Sequence, residues 1–417
     1  MALRPVISDK KGKIYNHPGL LAAGMKAGSI ERLEPGELIR LPESSRLFTL
    51  PSRHAVGISK TGGQVIIKDG SALAAFLPPG YTTTYSPAYI KTGKIKPLPL
   101  YSYAACAVHK GELYAAAIRV DRERRHDSTR IDIGAVKKGI KYFKKIFPKN
   151  RLIPHLERCA MSYGCCGAQN LFLGVYEGPL PTSPHCNSDC AGCISYQSRK
   201  IFPETQPRIN FVPSPEEVAE IAVFHLNNSP DPVVSFGQGC EGEPLMAGDV
   251  IEKSIKLIRK KTAKGIINMN TNASKPGLIA RLADSGLDSM RVSINSAREK
   301  YYARYYKPRG YSFYDVMLSM KTMKRKGGFV SLNYLTMPGF TDSHEEYKAL
   351  RKLITKYRID MIQWRNLNYD PLLYFEELGL VLGGNFIGIR QEMAMLRKEF
   401  PKLLMGYFNP GRRKICR

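Results

Sequence analysis

The spacing of apolar and polar residues changes character near residue 168. Upstream, from Arg46 to about Val120, the apolar runs are short: Val65-Ile66-Ile67, Tyr103-Ala104-Ala105-Cys106-Ala107-Val108 and Leu113-Tyr114-Ala115-Ala116-Ala117-Ile118. Gly62-Gly63, Asp69-Gly70 and Lys110-Gly111 bound them, which predicts strands joined by tight turns. Residues 1–45 carry proline and glycine with little periodicity and predict an extended or irregular arm. Val136, Ile140, Phe143 and Ile146/Phe147 then recur at helical spacing. Between them stand Lys137, Lys138, Lys141, Lys144 and Lys145, with Lys149 and Arg151 just beyond, which predicts an amphipathic helix with a basic outer face.

Downstream the pattern alternates between strand and helix. Leu171–Tyr176, Val233–Phe236, Gly265–Met269, Ser289–Ile294, Phe329–Leu335 and Asp360–Trp364 read as strands. Helices are expected from Ser214-Pro215-Glu216-Glu217, a capping box with proline at the first helical position. Others are expected at Val250–Ile258, Pro276–Ala283, Phe313–Lys326 and His344–Tyr357. Six strands with intervening helices predict a parallel α/β sheet, whose reactive residues gather at the carboxyl ends of strands. The expected division is a β-rich accessory region over 1–150 ending in the basic helix, a catalytic α/β region over 151–375 and a helical tail over 376–417.

Composition narrows the setting. The 417 residues are 43% hydrophobic, enough for a substantial core, and no run approaches the ~18 apolar residues a membrane span needs. Met1–Ser8 has no apolar signal-peptide core. Nine clustered cysteines do not resemble a secreted disulfide framework, so a reduced cytoplasm is expected. Lys and Arg outnumber Asp and Glu by 63 to 36, a net charge of +27. Such a surface favours anionic partners such as RNA, anionic lipid or phosphorylated molecules. The plainer reading is lysines that merely solvate helix faces, and no aromatic residues are interleaved in a base-stacking pattern.

Cys186, Cys190 and Cys193 form a C-x3-C-x2-C cluster. Three close thiolates can bind three irons of a cubane and leave the fourth open for a small molecule, whereas cubanes usually have four cysteine ligands. A structural zinc or a disulfide pair are the alternatives. Zinc favours a matching second pair of cysteines or histidines within about 40 residues, and no such pair follows this loop. An exposed cluster is sensitive to oxygen, so an anaerobic or microaerobic cell is expected.

In order along residues 168–370, these motifs resemble those of the radical S-adenosylmethionine (SAM) superfamily. The cysteine loop resembles its cluster ligands, and Gly242-Glu243-Pro244 its Gly-Gly-Glu-Pro segment, which holds the SAM amine. Asn270-Thr271-Asn272 resembles its Thr-Asn-Gly. Leu282–Asp288 with Arg291–Ser296 resembles its fourth helix–strand step. Met337–Asp342 is similar to the loop after strand five in glycyl-radical activating enzymes, and the set also resembles molybdenum-cofactor-type members. Gly192 departs from the pattern, which has a bulky or aromatic residue there; Tyr196 could take its place.

The resemblance implies a partial (β/α)6 TIM-like barrel with a small β-rich N-terminal extension. It implies a 4Fe-4S cluster and SAM, reductive cleavage to a 5′-deoxyadenosyl radical, and a reductant such as flavodoxin or ferredoxin. Glu243 would accept from the SAM ammonium, a charge-assisted bond, with Gly242, Pro244, Asn270 and Asn272 around it. Ser293 and Asn295, two apart on one strand, would bind ribose hydroxyls or the carboxylate. Arg365, in the polar run Gln363, Arg365, Asn366 and Asn368, is a candidate anchor for a substrate carboxylate or phosphate or for the carboxylate of SAM, or else an ion-paired arginine closing the barrel. Cys240 is a candidate thiol in the substrate cavity or a small buried residue. Cys159, Cys165, Cys166 and Cys416 could hold an auxiliary cluster or zinc, or pack as ordinary cysteines. Tyr301, Tyr302, Tyr305 and Tyr306 are expected to pack a helix or loop. The competing expectation is a basic iron–sulfur protein that binds RNA or carries electrons without cleaving SAM.

Overall fold

A computed structural model describes residues 2–9, 11–93, 95–123, 127–198 and 200–415. Among these, seven parallel strands form one sheet in sequence order: Glu177–Pro179, Val233–Phe236, Ile266–Thr271, Ser289–Ile294, Phe329–Thr336, Met361–Asn366 and Leu404–Gly406. Sequential parallel neighbours joined by helices make an open half-barrel, the partial TIM-like form expected from the strand–helix alternation. Four helices reproduce their sequence signals closely. Pro215–Asn228 begins at the Ser214/Glu217 capping box, Pro276–Ser285 starts on its proline, and Phe313–Arg325 and His344–Tyr357 follow their apolar stripes.

The first strand departs from expectation. Leu171, Phe172 and Leu173 end helix α3 (Cys166–Leu173), which follows α1 (Ile133–Ile146) and α2 (Leu152–Met161). Gly174 stops α3 in the left-handed region (φ 67°), and the strand begins only at Glu177. A short apolar run buried on all sides fits a helix or a strand equally well. The expected helical tail also contains the seventh strand, where Met361 pairs with Leu404.

The segment read as an irregular arm is strand-forming. Arg4–Ser8 lies inside a nine-stranded sheet, between Ala104–His109 and the long hairpin strand Gln64–Phe76. Val6 and Ile7 are buried there, but five residues including Pro5 are too short a stretch to show alternation. The three apolar runs read as strands all lie in this sheet. Buried alanines at 104, 105, 107 and 115–117 let its layers approach closely. Helix α1 buries Val136, Ile140 and Phe143 and turns its lysines outward, as its periodicity predicts.

The N-terminal sheet sits against the last barrel strands. Thr82 Oγ1 donates to the carbonyl of Trp364 at 2.8 Å, and Asn366 exchanges bonds with Thr83 N and Tyr81 O. Arg53 pairs with Asp370 at 2.9 Å, both side chains almost fully buried. No helix among the described residues is long and apolar enough to cross a membrane.

Candidate active site

Every second residue of the central barrel strands is polar: Asn268 and Asn270, Arg291 and Ser293, Ser331 and Asn333, Gln363 and Arg365. Strand side chains alternate between faces, and the register places these polar residues side by side in rows. Asn270 pairs with Arg291 and Arg291 with Ser331; Ser293 pairs with Asn333 and Asn333 with Gln363. Hydrogen bonds link them across the concave face, from Arg291 to Gln363 (2.9 Å), Gln363 to Asn409 (3.0 Å) and Asn409 to Glu177 (2.8 Å). Sequence reasoning recognised the polar run only in the sixth strand. The same period-two signal was present in the third to fifth.

The cysteine loop, 184–198, follows the first strand and is held from three sides. Gly242 N donates to Ser183 O (2.6 Å) and Glu243 N to His185 O (2.8 Å). A Cβ on Gly242 would lie 2.0 Å from the His185 carbonyl, so only glycine permits this approach. Asn272 Nδ2 donates to Asn187 Oδ1 (2.8 Å) and Ser188 Oγ (3.1 Å), the two residues after Cys186. Asp189 N and Ala191 N donate to the carbonyls of Tyr306 and Tyr305 at the end of the helix Glu299–Tyr306.

Two buried carboxylates brace this arrangement. Glu241 accepts from Thr182 N, Thr182 Oγ1 and Ser183 N on one oxygen and from Gly237 N and Gln238 N on the other. Glu243 caps the single turn Pro244–Ala247 through Leu245 N (3.1 Å), and also accepts from Asn272 N (2.8 Å) and Thr271 Oγ1. Burial raises the Glu243 carboxyl to about 7 against the pull of these donors.

A cavity of about 300 Å³ opens between the loop and the strand ends. Cys190, Cys193, Ser293, Tyr306, Asn333 and Arg365 are among its lining residues. Asn333 Oδ1 and Tyr306 Oη are buried there without hydrogen-bond partners. Arg365 donates to Tyr407 O (3.1 Å) and stacks 4.1 Å from the Tyr407 ring. Its neighbour Arg291 is pushed down to about 9 by burial and then by the Arg365 charge. Among the described residues, neither guanidinium has a carboxylate within ion-pair distance.

The structure separates some of the residues named together above. Ser293 lines the cavity, but Asn295 is fully buried and donates to Tyr301 O and Tyr374 Oη. Asn270 belongs to the polar network, donating to Gly237 O. Cys240 is 2% exposed and does not line the cavity, although Gly239 and Glu241 on either side of it do. Its thiol faces Cys159 instead. Tyr196 is exposed and stacks on Arg208, while Tyr305 and Tyr369 fill the space above Gly192, where a Cβ would lie 2.6 Å from Tyr305 Oη. Tyr305 and Tyr306 both line the cavity. Arg208, which donates to Cys193 Sγ (3.5 Å), went unrecognised because it lies in an aperiodic proline-containing loop.

Residues 180–350 match the family model described as the radical SAM superfamily. Over this stretch the chain is similar to the radical SAM superfamily. Similar solved structures include Streptococcus suis SuiB bound to S-adenosylmethionine, at 14% identity and TM-score 0.41 over 68% of each chain. A radical SAM methyltransferase from Sphaerobacter thermophilus matches at 14% identity and TM-score 0.40, over 56% of this chain and 67% of that one. Native anSMEcpe with bound AdoMet matches at 19% and TM-score 0.37 over 46% of this chain, which spans about half (52%) of that protein. No curated protein matches the chain.

A radical SAM domain implies a 4Fe-4S cluster and SAM, and the donor set fits them. Burial and mutual repulsion push the Cys190 thiol well above its usual range. Cys186 rises to about 11, by burial and then by Glu243. Burial opposes ionisation of Cys186 and Cys190, and a strongly positive centre of the kind an iron cluster would supply offsets that cost. Among the described residues, the one set of three or more metal-donor atoms within 4.8 Å of each other lies elsewhere, so these three sulfurs are spaced more widely than a single ion needs.

Proposed function

We propose that this chain is an iron–sulfur enzyme that cleaves SAM reductively and uses the resulting radical on a substrate with a carboxylate or phosphate. What carries the reading is one cavity with Cys190 and Cys193 at one side and the unpaired Arg365 at another. Bound at the loop, cluster and SAM would supply the 5′-deoxyadenosyl radical, chemistry that belongs to the cofactors. The protein's part is to hold and orient. Cys186, Cys190 and Cys193 ligate the cluster, with Arg208 stabilising the thiolate of Cys193. Gly242, Glu243 and Pro244 shape the loop beside it, and Glu243 keeps acceptor capacity for an ammonium beyond its three internal donors. Asn272 fixes the loop's first half. Asn270 and Asn295 support the barrel interior, while Ser293, Asn333 and Tyr306 offer polar contacts to a nucleoside.

Arg365 and Arg291 form the anion seat. In this reading the 1–150 region is an accessory platform, 151–375 the catalytic barrel and 376–417 the segment that closes it. A reductant such as flavodoxin or ferredoxin and an oxygen-poor cytoplasm complete the proposal. An RNA substrate would satisfy the overall charge, but nothing in the cavity favours one.

Anaerobic reconstitution followed by product analysis with dithionite and SAM tests the reading. About four irons per chain and formation of 5′-deoxyadenosine are expected, both lost when Cys186, Cys190 or Cys193 is replaced by Ala. Iron without 5′-deoxyadenosine would leave an electron carrier. Arg365→Gln should retain uncoupled SAM cleavage and SAM affinity; loss of SAM affinity would assign the seat to the carboxylate of SAM.

A further inference from the structure

Three soft donors converge about a second point. His155 and Cys159 stand one turn apart on helix α2, so they share a face. Cys240, from the loop after the second barrel strand, meets them there. His155 Nε2, Cys159 Sγ and Cys240 Sγ all lie within 4.8 Å of one another, and His155 Nε2 is 3.7 Å from Cys159 Sγ. Metal–ligand lengths of about 2.3 Å for sulfur and 2.0–2.1 Å for nitrogen give donor separations of about 3.5–3.8 Å for one nitrogen and two sulfurs around a tetrahedral zinc. A small contraction closes the set.

The surroundings are built for thiolates. Cys159 and Cys240 are 2% exposed. Gln206 lies beside Cys159 and Cys165, and among the described residues its buried Nε2 has no hydrogen-bond partner. Such a donor is free to serve an anionic ligand shell. Cys165 is tied to this segment by its backbone N–H, which donates to Cys159 O at 3.0 Å, but its sulfur is not among the three grouped donors. Cys166 turns away, its thiol on Gly164 O, and Cys416 lies outside the described residues.

We infer that His155, Cys159 and Cys240 bind a single zinc-class divalent cation, with the fourth position open to water or a further donor. Oxygen-seeking cations would find no carboxylate ligand in this set, and a cubane would usually take four cysteines. The ion would tie α2 to the segment carrying Glu241 and Glu243, and so brace the cluster loop from behind. The site does not depend on SAM chemistry, so it can fail or stand separately from the proposed function.

Metal analysis of the full chain, purified anaerobically, tests it. The Cys186→Ala/Cys190→Ala/Cys193→Ala variant should lose its iron and keep about one zinc per chain. Cys240→Ser and His155→Ala should lose zinc while retaining iron. Because either variant could misfold, wild-type chain exchanged with cobalt(II) provides a second readout: intense tetrahedral d–d bands with thiolate charge transfer, absent from Cys240→Ser. A zinc-free triple variant would overturn the inference. So would a drop in iron on Cys159→Ser, which would indicate a second cluster, or a Cys159–Cys240 disulfide in the metal-free native chain.

Discussion

A methyl group on Gly242 would sit 2.0 Å from the carbonyl oxygen of His185, where the second-strand loop is hydrogen-bonded to the cysteine loop. Neither backbone can yield without breaking those bonds. Gly242→Ala should therefore cost about 1–3 kcal/mol and lower the iron retained after reconstitution. Gly277→Ala, where a Cβ meets nothing within 4 Å, should do neither, and paired melting curves with iron counts check both. Glu243 gives a pH signature. Burial raises its carboxyl from 4.5 to about 7, so the folded chain holds this proton more tightly than the unfolded one. The associated stability is complete below pH 4.5 and is lost as pH rises through 7, on the order of 3 kcal/mol in all. Glu243→Gln does not titrate, and its altered hydrogen bonding adds an offset independent of pH. The melting temperature of wild type minus that of the variant should fall across this window and level off above it; a flat difference would mean that Glu243 stays ionised. At this scale the spacing of the three cysteines stood out in the sequence by itself, whereas Gly242-Glu243-Pro244 stood out only through its family resemblance. It did not announce Glu241, Arg208 or the two tyrosines above Gly192, whose roles come from contacts between distant segments.

Elements were legible where local chemistry and periodicity agreed. Ser214 caps its helix with Glu217 in return, and the strands at Val233–Phe236 and Ser289–Ile294 lie where the apolar pattern put them. Misreadings fell on short stretches. Leu171–Leu173 is apolar throughout and carries no period to distinguish helix from strand, so only Gly174 marked the break. Leu404–Gly406 and Arg4–Ser8 are strands of three and five residues whose conformation is imposed by their sheet partners. The half-barrel survives these errors because its five longer strands are set by helix–strand alternation. The cavity survives them as well, since its walls come from the carboxyl ends of correctly placed strands.

At the scale of the whole molecule, the joint between the N-terminal sheet and the barrel was invisible in the sequence. Its central contact, Arg53 with Asp370, spans 317 positions. Arg53 also donates to Pro51 O and Lys96 O, while Asp370 accepts from Leu98 N and caps the helix Pro371–Leu378 through Leu372 N and Leu373 N. The pair is thus a connector for three segments rather than a surface ion pair. Removing one member strands the other's charge out of water, a loss of about 3–5 kcal/mol for a buried pair. Arg53→Met should incur that loss, because the Asp370 carboxylate keeps only backbone donors. Asp370→Asn retains a cap oxygen and should be milder, since Arg53 still has two carbonyls. In the Arg53→Met/Asp370→Asn chain no charge remains to strand, so at least half of the single-variant loss should return, as the pairwise coupling of a double-mutant cycle. Iron content should stay unchanged throughout, because neither side chain touches the cysteine loop. Additive losses across the cycle would show that the sheet is held to the barrel by its other contacts, chiefly Thr82 and Asn366, and that the buried pair merely occupies the seam.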